Sequence, residues 1–146
     1  MANIMPGKLS RCPQCGEAGK RVNGATIKCM LRVPLTAYRE VDYWFCRTAQ
    51  CPVVYFSGDG AQTFAEADLR EPVFQKHAER AETPICYCFG FSVGDVQQPE
   101  QAVHALAVIQ AGVRAGQCAC DWRNPQGDCC LGNVRMMVKR ASAPVR

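Results

Sequence analysis

The sequence predicts an α+β protein, a small β-rich unit followed by a helical one, and two observations carry that prediction. Cysteines gather in close pairs in both halves of the chain. The segments between them change from short, aromatic-rich alternating runs before residue 74 to three-to-four apolar spacing after residue 99. We expect a first unit at 1–74 and a second at 84–146, joined by a polar linker at 75–83. Below roughly 70 to 80 residues a hydrophobic core alone is marginal, so metal sites are an expected source of folding free energy in units this small.

In the first unit, Cys12-Pro13-Gln14-Cys15-Gly16 forms a C-x2-C knuckle, with a glycine where backbone amides turn toward sulfur. Cys46 and Cys51 form a C-x4-C pair, and the two pairs together supply the four thiolates of a tetrahedral structural zinc site. Both flank strand-like segments, as zinc-ribbon knuckles do. Val41 to Phe45 alternates and Val53 to Phe56 is a short apolar run, so both read as strands. Ser57 to Gly60 then makes a turn, Gln62 to Phe64 pairs back, and Pro72 ends the unit. Thr26 is the expected cap of a short helix running through Arg32, with Pro34 beyond it. Cys29, beside Ile27, Met30 and Leu31, reads there as a small buried apolar residue.

The second unit opens with Ile85-Cys86-Tyr87-Cys88-Phe89 and closes with Cys118-Ala119-Cys120 and Asp128-Cys129-Cys130-Leu131. Six of the eleven cysteines lie in those two clusters. Between them Ser92 to Asp95 resembles a capping pattern, Pro99 suits a first helical position and Gly116 a helix stop, with Val103, Leu106, Ala107, Ile109, Gln110 and Val113 at helical spacing. A last helix begins near Cys130 and includes Val134, Met137 and Val138. A helical hairpin brings the two loops together around one point, a geometry suited to an iron-sulfur cluster, and the first amides of the last helix face its negative charge. Which of Cys118, Cys120, Cys129 and Cys130 would complete such a site is open. Trp122 and Tyr87 read as shields for it, Met136 and Met137 as helix packing. His77 and His104 each stand alone and are not expected to bind metal.

The formal charge of +4 comes from scattered Lys and Arg, without a basic block or interleaved aromatics, and does not support nucleic-acid binding. Metal loading offsets it: zinc with four thiolates carries −2, as does an oxidised 2Fe-2S core with four. Met1 to Ser10 lacks the apolar stretch of a leader, and no run approaches the roughly 18 apolar residues of a membrane span, so a cytoplasmic protein is expected. In a reducing compartment close cysteine pairs read as metal ligands before disulfides. No Ser/His/Asp set, phosphate loop or dinucleotide fingerprint is present, which leaves metal-ion reduction as the conceivable enzymatic role.

The segments CPQCG, FCRTAQCPVVYF, ICYCFGFS and CACDWRNPQGDCCLGNV, in that order, resemble the N-terminal domain of the CopZ-type iron-sulfur and zinc-containing copper chaperones. The second half is more loosely similar to bacterioferritin-associated ferredoxin. The resemblance implies zinc at Cys12, Cys15, Cys46 and Cys51 and a 2Fe-2S cluster on Cys86 and Cys88. For its second pair we choose Cys120 and Cys130, with Cys118 and Cys129 still open. It also implies a metallochaperone-like role in copper or mercury homeostasis, with soft-metal ions and a metal-transport ATPase, a separate metallochaperone or a redox partner as its associates. The M-x-C-x-x-C loop with which such chaperones transfer copper is not in this sequence, so delivery by that loop is not expected here. The alternative is a ferredoxin-like one-electron carrier for iron release or cluster assembly.

Overall fold

The computed structural model describes residues 10–142; residues 1–9 and 143–146, where the leader was sought and where the expected units begin and end, lie outside the described residues. Short strands build a four-stranded antiparallel sheet in the order β1 (Lys20–Val22), β2 (Tyr43–Phe45), β3 (Val53–Ser57), β4 (Thr63–Ala65). Side chains alternate across a strand, and that alternation sorts the aromatics into two sets. Tyr43, Phe45 and Tyr55 join Val22, Ile27, Phe64 and Leu69 in one core. Trp44 and Phe56, register partners across β2 and β3, face Cys12, Cys46 and Cys51 in another. A Cβ on Gly19 would lie 2.6 Å from the Phe56 ring and 3.0 Å from Trp44 Cβ, so the chain passes there only as glycine. Strand β1 went unanticipated because Lys-Arg-Val carries no alternating apolar signal.

Helix α1 spans Gly24–Met30 and differs from expectation at both ends. Its cap is Asn23, whose side chain accepts from the Ala25 amide, and it stops before Arg32 because residues 31 and 32 pair with the 68–70 segment. Thr26 is therefore an interior, fully buried residue, and its hydroxyl donates to the Asp121 carbonyl instead of capping. Cys29 is exposed, not buried, since the helix turns Thr26, Ile27 and Met30 inward.

In the second half, β5 (Pro84–Cys86) pairs with β6 (Phe91–Ser92), and α2 (Pro99–Arg114) packs on α4 (Leu131–Ser142), with the short α3 (Cys120–Arg123) between them in sequence. Pro99 does open α2, and Gly116, at φ +72°, follows its end. The buried stripe of α2 is shifted from the expected one: it runs through Ala102, Ala105, Ile109 and Gly112, leaving Val103 exposed. Close approach selects these small residues. A Cβ on Gly112 would sit 2.1 Å from the Phe89 ring, in the loop that carries Cys88.

The segment expected to be a linker is packed. Phe74–Lys76 is a 3-10 turn, Lys76 and Thr83 are buried, and the Thr83 and Ala81 carbonyls accept from Val93 and Gly94 amides at 2.8 and 2.7 Å. Its polar groups satisfy backbone from both halves, whereas polarity read alone suggests solvent. The halves also meet directly: α1 packs on α3, Lys20 pairs with Asp128, and the buried Tyr55 hydroxyl donates to the Pro125 carbonyl at 2.5 Å. Helix α2, the longest, is neither long nor apolar enough to cross a membrane, nor is any other helix among the described residues.

Removing the Tyr55 hydroxyl withdraws that donor from a buried carbonyl, a loss of about 1–3 kcal/mol. Tyr55→Phe should accordingly lower the urea midpoint without changing the far-ultraviolet circular dichroism of the native state.

Candidate metal centres

The first sulfur group is assembled from two knuckles facing each other across the sheet. Cys12 and Cys15 lie on a tight turn closed by the Gly16 amide on the Cys12 carbonyl at 2.8 Å, with Gly16 at φ +79°. Cys46 follows β2 and Cys51 precedes β3; the Cys46 amide donates to Val54 and the Cys51 amide to Thr48. One ligand atom from each of the four cysteines lies within 4.8 Å of the others, with Cys12 to Cys51 at 3.8 Å and Cys15 to Cys46 at 3.7 Å. Four sulfurs at about 2.3 Å from a tetrahedral zinc stand about 3.8 Å apart, so the donor set and its spacing fit zinc.

The surroundings treat these thiols unequally. The Thr48 hydroxyl, 3.2 Å from Cys15 Sγ, helps bring that thiol down to about 7. Burial raises Cys12, and burial together with the neighbouring thiols pushes Cys51 up to about 12. Lys76, from the packed turn, places Nζ 2.7 Å from the Thr48 carbonyl oxygen and 3.7 Å from Cys46 Sγ. Sequence reasoning missed Lys76 because a single lysine in a polar segment carries no local signal.

The second group is held between a hairpin and two helix starts. Cys86 ends β5, and Cys88 lies in a turn closed by Gly90, at φ +77°, whose amide reaches the Cys86 carbonyl. Cys120 opens α3, and Cys130 immediately precedes α4 with its carbonyl accepting from Val134 at 2.9 Å. Cys88 Sγ is 3.5 Å from Cys120 Sγ and accepts from the Ala119 amide at 3.1 Å. Cys86, Cys120 and Cys130 are buried in one core, with Cys88 packed against it. The neighbouring Cys130 thiol lowers Cys86 to about 7 and Cys120 to about 6, while those neighbours and burial raise Cys130 far above the thiol range; burial lifts Cys88 to about 11. Four soft donors from two loops suit an iron-sulfur cluster in kind. Of the other two candidates, Cys118 is half-buried and Cys129 exposed.

The remaining singled-out residues go elsewhere. His77 Nε2 is 2.5 Å from Glu66 Oε1, and the His104 ring meets Phe91 edge-on. Tyr87 is buried between its two cysteines, its hydroxyl donating to the Pro72 carbonyl at 2.6 Å and accepting from the Phe74 amide at 3.0 Å. Trp122 is 57% exposed and does not serve as the expected shield, because the short α3 buries Cys120 and turns Trp122 outward. Of the two methionines Met137 packs inward, while Met136 is exposed.

Fold and sulfur geometry together define a small cysteine-rich α+β protein with a zinc-binding sheet unit. Residues 9–70 match the zf_CopZ family, described as a zinc binding domain. The chain is 30% identical over 123 residues to the copper chaperone CopZ of Archaeoglobus fulgidus, a match covering 84% of this chain and 58% of that protein. It also superposes on the crystal structure of the Archaeoglobus fulgidus CopZ N-terminal domain with TM-score 0.66 and 27% identity, over 92% of this chain and 99% of that one. In sequence and fold the chain is thus similar to the CopZ N-terminal domain.

Because Gly112 admits the Phe89 ring beside Cys88, a side chain there must push the Cys88 turn away from α2. Overpacking of this kind costs about 1–3 kcal/mol. Gly112→Val should show that loss in urea denaturation of the protein as purified.

Proposed function

We propose that this protein is a metallochaperone-like factor in soft-metal homeostasis that carries two metal centres. Zinc is held by Cys12, Cys15, Cys46 and Cys51, and a 2Fe-2S cluster by Cys86, Cys88, Cys120 and Cys130. The observation that supports the reading is one four-cysteine group at tetrahedral spacing together with a second gathering of Cys86, Cys88, Cys120 and Cys130 in one core, where Cys88 meets Cys120. Likeness to a protein named copper chaperone CopZ supports copper as the ion handled.

Zinc at the first group has a structural task, tying the Cys12–Cys15 turn to the β2–β3 strands so that the sheet and α1 can support α3. A 2Fe-2S cluster, when bound, supplies one-electron chemistry at a potential set by its surroundings. The chain contributes the Ala119 amide on Cys88 Sγ, which favours the thiolate, and the burial of Cys86, Cys120 and Cys130, which keeps water from their sulfurs. Cys118 and the exposed Cys129, close in sequence to Cys120 and Cys130, offer sulfur, a soft donor that favours Cu(I) over Cu(II).

Anaerobic purification with metal analysis should give one zinc, two irons and two inorganic sulfides per chain. Cys86→Ala or Cys88→Ala should abolish the visible iron-sulfur absorbance and leave the zinc in place. A normal cluster spectrum in both variants would overturn the ligand assignment.

Reduced holoprotein mixed with Cu(II) in the absence of oxygen should lose one electron per cluster and retain copper as Cu(I), followed by visible and electron paramagnetic resonance spectra. Cluster oxidation without retained copper favours the ferredoxin-like carrier instead. Loss of copper retention in Cys118→Ala or Cys129→Ala, with electron loss intact, would locate the capture step at those thiols.

A further inference from the structure

Lys76 reaches the first sulfur group from outside both of its knuckles. Its side chain is buried, 8% exposed, and its Nζ contacts Cys46 Sγ at 3.7 Å while donating to the Thr48 carbonyl at 2.7 Å. Thr48 is also the residue whose hydroxyl meets Cys15 and whose carbonyl accepts from Cys51, so the lysine anchors on the centre of the Cys46–Cys51 knuckle. The turn that presents it is fixed at both sides: the Lys76 amide bonds Val73 at 3.0 Å, and the Phe74 amide bonds the Tyr87 hydroxyl. An ammonium group is costly to bury unless it meets charge or strong acceptors, and a carbonyl alone is a weak partner for it.

We propose that Lys76 is a positioning residue and built-in counter-cation for the Cys12, Cys15, Cys46 and Cys51 site, strengthening its hold on zinc and damping the reactivity of its thiolates. The proposal rests on the zinc reading given above. Zinc with four thiolates carries a net charge of −2, and the charge-assisted N–H to Cys46 Sγ draws down the electron density on that sulfur. Partners in the shell around metal ligands contribute about 10–100-fold in affinity. The residue belongs in sequence to the segment joining the halves. The same turn therefore touches a zinc-group thiol through Lys76 and, through Phe74, the tyrosine between Cys86 and Cys88.

The test compares Lys76→Gln, which drops the charge while keeping a donor for Thr48, with Lys76→Met, which drops both. Zinc retention is measured by competition with a chromophoric chelator, and thiolate reactivity by the rate at which iodoacetamide releases zinc. Both variants should lose zinc affinity about 10-fold or more and release zinc correspondingly faster, with native circular dichroism and an unchanged iron content. If Lys76→Gln matches wild type in both measurements, or if only Lys76→Met is weakened, the charge has no role and the proposal fails. Should Lys76→Met not fold, Lys76→Gln decides alone. Wild-type protein that holds no zinc would instead overturn the zinc reading on which the proposal rests.

Discussion

Negative charge on crowded sulfur is the constraint around which this protein is built. Thiols at 3.5 to 3.8 Å cannot all be ionised and buried without a cation, because like charges that close repel strongly in a medium of low dielectric. The thiols are unequal: a side-chain hydrogen bond or a neighbouring thiol lowers Cys15, Cys86 and Cys120, while burial raises Cys12, Cys51 and Cys88 and neighbouring thiols with burial raise Cys130. A metal bound by all four sulfurs of a group as thiolates would resolve the repulsion and make metal binding part of the folding free energy.

Because the sulfurs do structural work, small elements suffice around them. Three-residue strands and a seven-residue helix would be marginal alone. Here they lie against a core of Tyr43, Phe45 and Tyr55 on one face and the thiols on the other. The two halves then become one body through a few buried polar bonds, Tyr55 to Pro125, Thr26 to Asp121 and Tyr87 to Pro72. Asp121 adjoins Cys120 and Tyr87 lies between Cys86 and Cys88, so the packing of the first half bears on the second group of cysteines.

The motifs with local chemistry were legible in the sequence. The C-x2-C and C-x4-C pairs, the strands beside them, Pro99 at the start of α2 and Cys130 at the start of α4 all stand where their residue types require. Features that depend on distant contacts were not. Thr26 looked like a cap because hydroxyls cap helices, yet its partner lies ninety-five residues away. Residues 75–83 looked like a tether because their bonds to both halves leave no mark in composition.

Sequence alone determined that this chain gathers soft ligands in two places and which residues are available to each, since ligand chemistry belongs to the side chain and short spacings to the local turn. Only the tertiary structure decided which sulfurs meet. Cys120 meets Cys88 at 3.5 Å and Cys130 is buried in the same core, while Cys129, one residue away, is exposed. That difference comes from the direction in which the backbone enters α4, and no residue type records it. The inward stripe of α2 and the burial of Lys76 were decided in the same way, by the shape of the neighbour that each residue must fit.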